Sequence, residues 1–226
     1  MNKIIKSNEK GNLIVISGPS GCGKDTVVSE VLKMNSRAWL SVSMTTRPIR
    51  KGEVFDESYY FVTKEEFEKN IASGQFLEYA EYNGNYYGTP KNKILEKLNQ
   101  GIDVILVIEI QGALKIKKLV PDAIFIFIMP PSLKELKRRL IGRKTESKDK
   151  IIDRFKTAYK EINEVTKYNY TVINDQVIDA ALKINSILIS EKCRVDRIEE
   201  IYLNNMEEEI HELLIDKDFE NLEREI

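Results

Sequence analysis

Continuous apolar runs at four places along the chain predict buried β-strands. Each run is four to eight residues long, which suits a strand and is short for a helix that is apolar on all sides. The runs occupy Leu13–Ser17, 103–110, 123–129 and Tyr170–Ile173, and a further strand is predicted at 39–43. Strands buried on both faces are typical of a parallel sheet covered by helices. The pattern therefore predicts the centre of an α/β sheet.

Segments with helical spacing separate these strands. The predicted helices cover 27–34, 111–120, 133–144 and a segment that begins near Lys148. The resulting order of strand, helix and strand is typical of a parallel α/β sheet with right-handed crossovers.

Residues 44–98 have a different pattern, in which aromatic strand-like stretches alternate with short helices. The pattern predicts an inserted, partly antiparallel lobe. Within it, Thr63 and Glu66 have the spacing of a capping box at the start of one helix. Thr89 and Pro90 predict the N-cap and the first residue of another helix, which ends before Gly101.

Composition narrows the class of protein. The chain has 226 residues, of which 42% are hydrophobic and 31% charged, as in ordinary globular proteins. No apolar run approaches the ~20 residues of a membrane span, and the N-terminus lacks the apolar region of a signal peptide. We expect a cytoplasmic protein that binds neither membranes nor nucleic acid.

Few residues are available for histidine or cysteine chemistry. The two cysteines, Cys22 and Cys193, form neither a disulfide framework nor a zinc-binding spacing. His211 is the single histidine and lies far along the chain, which argues against a Ser-His-Asp or Cys-His mechanism. Any catalysis must use lysine, arginine, carboxylates, hydroxyls and the backbone.

Charge is unevenly distributed along the chain. Residues 197–226 hold eleven acidic and three basic residues, a net charge of −8, so the other 196 residues carry +7. A basic body suits anionic substrates. The acidic segment has apolar residues at helical spacing and is predicted to be an amphipathic helix that packs on the body or on a second subunit of a homodimer. These apolar residues are Ile198, Tyr202, Met206, Ile210, Leu213 and Leu214.

The strongest chemical motif is GPSGCGKDTV, which directly follows the first strand and precedes a helix. It matches the phosphate-loop pattern G-x-x-x-x-G-K-S/T at Gly18, Gly23 and Lys24. Backbone N–H groups of such a loop and the N-terminus of the helix bind phosphate, and the lysine reaches the β- and γ-phosphates. An ordinary tight turn is the alternative. The predicted ATP-binding residues of the loop are Gly18, Pro19, Ser20, Gly21, Cys22, Gly23, Lys24, Asp25 and Thr26.

Asp25 departs from the pattern, because a serine or threonine that ligates Mg²⁺ is usual at this position. A carboxylate is also a hard oxygen ligand for Mg²⁺, but it repels phosphate when the metal is absent. We therefore predict Asp25 as a metal ligand and expect ATP to bind best as its magnesium complex. Cys22 has two interpretations, a small residue that fits the loop or a redox-sensitive thiol, and the first is favoured.

Six motifs in the same order make the chain resemble the guanylate kinase family over residues 13–193. They are GPSGCGKDTV, SVSMTTRPIRKGEV, FLEYAEYNGNYYGTP, VIEIQGA, PPSLKELKRRLIGRKTES and TVINDQ. The resemblance implies a phosphate-loop nucleoside monophosphate kinase fold over residues 11–196, followed by the acidic extension at 197–226. It divides the fold into a core (about 11–43, 99–131 and 155–196), a GMP-binding lobe (44–98) and a helical lid (132–154).

The resemblance also implies substrates and roles. ATP, as its Mg²⁺ complex, would donate its γ-phosphoryl group to GMP. The GMP phosphate would be held by Ser43, Arg47, Arg50, Tyr59, Tyr87 and Thr89, and guanine would be recognised by Glu78 with Glu109 and Ser43. The ATP phosphates would contact Arg139, Arg143 and Arg154, and adenine would lie near Asn174. The implied catalytic residues are Lys24, Arg47, Arg139, Arg143 and Arg154.

Residue chemistry agrees with these roles and leaves alternatives open. Arginine forks suit phosphate, although Arg47 and Arg50 could also be solvated surface residues. Glu78, in an aromatic strand, needs a partner if it is buried, either a salt bridge or N–H groups of a ligand. Val107 stands where the family often has a carboxylate, and Lys144 where its lid often has glycine.

Two other functions compete with a GMP kinase. Some domains of this family bind proteins and have little catalysis, but they lose the phosphate-binding residues that this chain retains. A kinase for another nucleoside monophosphate is the second alternative, and Glu78 argues against it.

Overall fold

The computed structural model describes residues 5–7, 10–50, 52–82, 84–142 and 148–201. One compact unit spans Glu9–Leu188, and a second contains the described parts of Met1–Asn8 and Ile189–Ile226. In chain order, the described strands are β1 (Ile5–Ser7), β2 (Leu13–Ser17), β3 (Ala38–Leu40), β4 (Met44–Thr45), β5 (Tyr60–Phe61), β6 (Phe76–Tyr82), β7 (Asn85–Pro90), β8 (Asp103–Val107), β9 (Ile124–Met129), β10 (Tyr170–Ile173) and β11 (Ile198–Ile201). The described α-helices are α1 (Lys24–Met34), α2 (Lys64–Ala72), α3 (Lys91–Asn99), α4 (Ile110–Leu119), α5 (Leu133–Ile141), α6 (Lys148–Ile162) and α7 (Val177–Glu191).

A five-stranded parallel sheet forms the centre of the larger unit, with the order β10-β9-β2-β8-β3. The predicted α/β fold with a parallel sheet and flanking helices is confirmed. Strand β2 is central, so the loop that follows it leaves the middle of the sheet at its carboxyl edge. Ligands of open α/β sheets bind at this edge.

Both faces of the sheet are covered, which explains why the strands read as continuous apolar runs. Ile14 and Ile16 of β2 pack in one buried cluster with Val28 of α1 and Ile184 of α7. On the other face, Val15 packs with residues of α3 and α4. Fully burying each such side chain contributes about 1.5–3 kcal/mol to folding.

The predicted strand at 103–110 is too long, because β8 ends at Val107 and α4 begins at Ile110. The Ile108 N–H still donates to the Ile16 carbonyl at 3.2 Å, and the backbone then leaves the sheet. Glu109 is the N-cap residue of α4 and not a strand residue. The strand predicted at 39–43 is shifted to Ala38–Leu40.

The lobe that follows β3 has a mixed four-stranded sheet with the order β5-β4-β7-β6. Strands β6 and β7 form an antiparallel pair, whereas β4 and β5 are parallel. The capping box is confirmed on one side, since the Thr63 hydroxyl accepts from the Glu66 N–H at 3.2 Å. Phe67 is fully buried and stacks on Phe76 and Tyr86, with ring centroids 4.5 and 5.3 Å apart.

The predicted cap of α3 is wrong by one residue. Pro90 is the N-cap of this helix, and its backbone is extended. The Thr89 hydroxyl instead donates to Glu78, so this side chain belongs to the lobe sheet and not to the helix end. The helix ends at Asn99, before Gly101 as predicted.

Helices α5 and α6 pack around Leu136, Leu140 and Ala158, all buried. The predicted basic helix is shorter than expected, because α5 ends at Ile141. Arg143 and Lys144 lie outside the described residues.

In the smaller unit, β1 and β11 form an antiparallel pair. Ile198–Ile201 is therefore a strand, where the sequence pattern predicts the start of an amphipathic helix. The rest of that predicted helix, residues 202–226, lies outside the described residues. In the part of the chain that the structure describes, no helix has the length and apolarity needed to cross a membrane.

Candidate active site

The phosphate-loop motif connects the carboxyl end of β2 to α1, and two of its glycines are required by close contacts. Gly18 has a φ of +157°, and a Cβ atom there would lie 2.3 Å from the Ile128 carbonyl oxygen. Gly23 has a φ of +89°, and a Cβ atom there would lie 2.6 Å from Nδ2 of Asn174. The loop is therefore packed against the neighbouring elements, and any larger residue would displace it.

Lys24, the first residue of α1, is folded back across this loop. Its Nζ atom donates to the Gly18 carbonyl oxygen at 2.6 Å. The positive end of α1 and the lysine ammonium thus face the same small volume, which favours an anion. Asp25 and Thr26 follow in the first turn and are exposed.

Cys22 is fully buried beneath the loop. Burial raises the pKa of its thiol, and the nearby Lys24 only partly opposes this effect. A buried thiol with a raised pKa is a poor nucleophile, so the geometry favours the small-residue interpretation over a redox-sensitive cysteine.

A cleft of about 1420 Å³ joins the phosphate loop to the lobe. It brings together predicted site residues that are far apart in the chain. Ser20 and Arg154, for example, are 134 positions apart and are joined by a hydrogen bond. The predicted site residues that line it are Ser20, Gly21, Gly23, Lys24, Asp25, Thr26, Ser43, Arg47, Arg50, Tyr59, Glu78, Tyr87, Glu109 and Arg154.

At the lobe end of the cleft, Glu78 is only 8% exposed. Its Oε1 atom accepts from the Thr89 hydroxyl at 2.8 Å. A Cβ atom on Gly112 of α4 would lie 2.9 Å from Oε2, so this glycine leaves the space that the carboxylate occupies. Burial raises the pKa of Glu78, while the Thr89 hydrogen bond and the charge of Lys115 lower it. No salt bridge joins Glu78 to another described residue, so the carboxylate can accept from N–H groups of a ligand.

A pair of charged side chains, Arg47 and Glu53, lines the same cleft as Glu78. Arg47 is 8% exposed and makes a two-pronged ion pair with Glu53, with N–O distances of 3.0 and 2.7 Å. The guanidinium lies over the rings of Tyr59 and Phe61, 5.4 and 5.7 Å from their centroids. This geometry excludes the alternative in which Arg47 is a solvated surface residue, whereas Arg50 is exposed.

Two arginines, Arg139 on α5 and Arg154 on α6, contact the phosphate loop. Nη2 of Arg154 donates to the Ser20 hydroxyl at 2.7 Å. Arg139 donates to the carbonyl oxygens of Cys22 and Asn174, at 3.3 and 3.1 Å, and to Glu135 at 2.8 Å. Arg139 and Asn174 do not line the large cleft but a shallower depression of about 300 Å³ next to Gly23 and Thr26.

Four other predicted residues that the structure describes line neither the cleft nor the depression: Gly18, Pro19, Cys22 and Thr89. Pro19 and Cys22 do not line the cleft with their side chains: the Pro19 carbonyl accepts from the Cys22 N–H at 3.1 Å and closes the loop. Arg143 lies outside the described residues, so its predicted contact with ATP stays a prediction.

Sequence reasoning missed two carboxylates of the site, Glu53 and Glu161. Glu161 accepts from the Ser20 N–H at 3.3 Å, and burial followed by the charge of Glu109 raises its pKa. Its position seven residues after Arg154 on α6 places both on one helix face, and this spacing could have revealed it. Glu53 follows Arg47 by six residues in an irregular segment, where no periodicity predicts contact.

The donor set fits Mg²⁺ that arrives with a nucleotide. Mg²⁺ is usually held by one or two carboxylates together with waters and substrate phosphates. Asp25, Thr26 and Glu109 all line the cleft, so carboxylate and hydroxyl oxygens are available near the anion site. Among the described residues, no group of three or more His, Cys, Asp or Glu side chains could hold a metal alone. The metal would therefore need the phosphate oxygens to complete its coordination.

Comparisons with known proteins agree with this geometry. The guanylate kinase family model matches residues 10–191. A guanylate kinase from Clostridium tetani is 59% identical over 208 residues, covering 92% of this chain and 100% of that protein. One from Clostridium perfringens strain SM101 is 55% identical over 216 residues, with coverage of 96% and 100%. The crystal structure of guanylate kinase from Anaplasma phagocytophilum has a TM-score of 0.73 and 34% identity, and the match covers 87% of this chain and 93% of that one.

Proposed function

The chain belongs to the guanylate kinase family, and we propose that the cleft between the phosphate loop and the lobe is its active site. The reaction transfers the γ-phosphoryl group of ATP to GMP and gives ADP and GDP. The observation that supports the assignment is the shared cleft itself. It joins the anion-binding loop around Lys24 to a buried carboxylate, Glu78, and a buried arginine, Arg47. A donor phosphate and an acceptor monophosphate can therefore meet in one volume.

Glu78 is the residue that recognises guanine in this proposal. Guanine presents N1–H and the N2 amino group on one edge, and an ionised carboxylate accepts from both. Glu78 is buried and oriented by Thr89, so its carboxylate is in place before the base arrives. Ser43 and Glu109 line the same cleft and complete the base site.

The phosphate of GMP binds to the other polar side chains of the lobe. Arg47 supplies a charged fork, and Tyr59 and Tyr87 supply hydroxyl donors beside it, with Arg50 at the rim. Burial raises the pKa of Tyr59 to about 12, so its hydroxyl keeps its proton and donates at neutral pH. Thr89 acts through Glu78 and not on the phosphate, which changes the role that the family resemblance implies for it.

ATP binds with its phosphates on residues 18–26, where Lys24 contacts the β- and γ-phosphates. Arg154 and Arg139 already contact the loop through Ser20 and Cys22, so both lie within reach of bound phosphates. Adenine occupies the depression next to Asn174 and Arg139. Arg143 is assigned to the same phosphates on the family resemblance.

Mg²⁺, held by Asp25 and by the phosphates of ATP, would neutralise charge on the transferred group when bound. The residues of the chain position the two nucleotides and offset negative charge, which is most of what phosphoryl transfer requires. Lys24 and the arginines contribute through their positive charge and position, so no histidine is needed. Closure of the lobe (44–98) and lid (132–154) over the core would exclude water and limit wasteful hydrolysis of ATP.

The test is a coupled assay of ADP release with ATP, Mg²⁺ and each nucleoside monophosphate in turn. We expect rapid turnover with GMP, little with AMP, CMP or UMP, and little ADP release without an acceptor. Equal turnover with several monophosphates would contradict the assignment of Glu78. A protein that binds GMP but releases no ADP would instead match the protein-binding modules of the family, an alternative that no observation favours.

The cellular setting is part of the proposal. A GMP kinase of this kind would act in the cytoplasm, in purine nucleotide metabolism and GMP recycling, without membrane or nucleic-acid partners. A homodimer is proposed from the acidic segment 197–226 and is tested by measuring the mass in solution before and after its deletion. A mass that corresponds to a monomer both before and after the deletion would refute the dimer.

A further inference from the structure

We propose that Glu53 is a positioning residue for the acceptor substrate, holding the guanidinium of Arg47 so that one edge of its fork remains open to the phosphate of GMP. The inference rests on the proposed GMP site and adds a residue to it. It also assigns a role to a carboxylate that would otherwise be unfavourable next to a phosphate.

The ion pair occupies one defined edge of the guanidinium. Nη1 of Arg47 donates to Oε2 of Glu53 at 3.0 Å, and Nη2 donates to Oε1 at 2.7 Å. Nη1 also donates to the Pro48 carbonyl oxygen at 2.7 Å. A guanidinium has five N–H groups in a rigid plane. Glu53 and Pro48 therefore engage three of them, including the whole end formed by Nη1 and Nη2.

The two other N–H groups, on Nε and Nη2, lie along a different edge of the same plane. Their parallel geometry matches two oxygens of a phosphate, which is the arrangement that gives arginine its preference for bidentate anions. Tyr87, a further residue of the proposed phosphate site, also interacts with this guanidinium. One arginine can thus bind Glu53 and the substrate phosphate at the same time.

Burial explains why the arginine needs this partner. Arg47 is 8% exposed, and the rings of Tyr59 and Phe61 cover it. An unpaired charge in such a place is unfavourable, and a flexible side chain would turn towards water. The hydrogen bonds with Glu53 raise the pKa of Arg47, and the same bonds lower the pKa of Glu53. Both groups are therefore charged at neutral pH in the absence of any ligand.

Glu53 also fixes the backbone that carries the second arginine. Its Oε2 atom accepts from the Arg50 N–H at 2.8 Å, and the Glu53 N–H donates to the Arg50 carbonyl at 3.1 Å. Arg47 and the backbone of Arg50 are thus both bound to the one carboxylate of Glu53. Loss of that carboxylate would release Arg47 and the segment of Arg50 together.

The experiment measures the affinity of the full chain for GMP and for guanosine, which lacks the phosphate. The variants are Glu53→Gln, which keeps the size but not the charge, and Glu53→Asp, which keeps the charge on a shorter stem. Glu68→Gln is the matched control, because this exposed glutamate of α2 makes only a long 3.9 Å pair with Lys64. Thermal unfolding of each variant is measured in parallel.

We expect Glu53→Gln to weaken GMP binding about 10- to 100-fold, the effect of misplacing a substrate-positioning group. Guanosine binding and the KM for ATP should change less than about threefold, since neither uses Arg47. Glu53→Asp should give an intermediate loss for GMP, and Glu68→Gln none. An equal loss for guanosine and GMP would show a merely structural role, and unchanged GMP binding would also overturn the inference.

Arg47→Ala separates this inference from the proposed function. If Arg47→Ala binds GMP like the native protein, the phosphate site itself is misassigned. If it loses GMP affinity while Glu53→Gln and Glu53→Asp do not, the site stands and the role of Glu53 is wrong. Should Glu53→Gln fail to fold, the comparison of GMP with guanosine in Glu53→Asp gives the same decision.

Discussion

The Thr89 hydroxyl donates to Oε1 of Glu78 across the β6–β7 pair, at a distance of 2.8 Å. The bond leaves Oε2, and the second lone pair of Oε1, for a ligand. It also explains why Thr89 does not cap α3, as its sequence position suggests. A hydroxyl that would stabilise a helix end instead orients a buried carboxylate.

Base selectivity should depend on Glu78. Its carboxylate can accept from N1–H and N2–H of guanine, and each charge-assisted bond contributes about 1.5–3 kcal/mol. Adenine has a lone pair at N1 and no N2 amine, so a site of this kind can reject it by roughly 10⁴-fold. We expect Glu78→Gln to reduce the ratio of kcat/KM for GMP over AMP, because an amide can donate to N1 and accept from the N6 amine of adenine.

The measurement uses both monophosphates with native protein, Glu78→Gln and the control Glu68→Gln. The control removes the same charge from an exposed position in the lobe. A native enzyme that uses AMP as well as GMP, or a Glu78→Gln variant with the native ratio, would contradict the role of Glu78.

The same substitution should stabilise the protein without nucleotides. Burial raises the folded-state pKa of Glu78 above its ordinary value of 4.5. Its contribution to stability is therefore fully present below the unfolded-state pKa and is lost as pH rises through the folded-state pKa. We expect Glu78→Gln to have a higher Tm than the native protein at pH 7. The difference should shrink as pH falls through the folded-state pKa and should be absent below the ordinary value of 4.5.

The pKa of Glu135 is lowered, whereas that of Glu78 is raised, so the two substitutions should change stability in opposite directions. Arg138 and Arg139 lower its pKa to about 2, so its contribution is present above the unfolded-state pKa and lost as pH falls through about 2. Glu135→Gln should lower the Tm at pH 7 slightly, and added salt should reduce the effect, because Glu135 is only partly buried and its partner Arg138 is exposed. Shifts of the same sign for Glu78→Gln and Glu135→Gln at pH 7 would refute the electrostatic explanation.

Lys24 should be needed for catalysis much more than for folding. Its single hydrogen bond to the Gly18 carbonyl has a charged donor and contributes about 1.5–3 kcal/mol to stability, a modest share of the total. Loss of a charged group aimed at the transferred phosphate should lower kcat by at least about 10²–10³-fold. We expect Lys24→Ala to remain folded and nearly inactive, as measured by circular dichroism and the coupled assay.

Lys33→Ala is the matched control, since Lys33 lies in the last turn of the same helix and pairs with Glu30 at 2.6 Å. It should keep native activity. If Lys24→Ala retains most of the native kcat, residues 18–26 do not bind the transferred phosphate as proposed.

Asp25 should make ATP binding unusually dependent on Mg²⁺. The exposed carboxylate lies in the first turn of α1, next to the proposed phosphate site, where it repels bare phosphate and attracts it through a bridging cation. We expect the ratio of ATP dissociation constants without and with Mg²⁺ to be larger for the native protein than for Asp25→Ser. Isothermal titration calorimetry gives both constants without relying on turnover.

Glu30→Gln, which removes an acidic side chain five residues further along α1, is the control for the change in net charge. It should keep the native ratio. Equal ratios for the native protein and Asp25→Ser would remove Asp25 from the metal site.

The core of the fold could be predicted because its signals are local. The apolar runs of β2, β9 and β10 are bounded by glycine, proline or polar residues, so their ends agree with the structure to within a residue. The strand predicted at 103–110 was too long, since apolar character continues through Ile108 and Ile110 after the chain has left the sheet. The β1–β11 pair joins segments almost two hundred residues apart, which no local pattern can reveal.

In the candidate site too, residues of a local motif could be predicted, whereas residues that meet only in the folded chain could not. The phosphate loop is contiguous, so its residues could be named from the sequence, and most of the dispersed residues came from ordered family motifs. Glu53 and Glu161 were missed because their partners, Arg47 and the Ser20 N–H, meet them only through the folded backbone. Arg50 remained ambiguous because an exposed arginine gives no signal of a partner.

The volume of the cleft has a consequence for inhibitor design. At about 1420 Å³, it exceeds the roughly 300–1,000 Å³ of a typical small-molecule pocket. A single bisubstrate compound, with guanosine and adenosine joined by a chain of phosphates, would extend from Glu78 in this cleft, across the phosphate loop, to the separate adenine depression next to Asn174. Once its guanosine is bound at Glu78, the adenosine experiences a high effective concentration at that depression, so the combined affinity can exceed that of either nucleotide by about 10²–10⁴-fold. The length of the phosphate chain that binds most tightly would then measure, in solution, the separation of the two nucleoside sites.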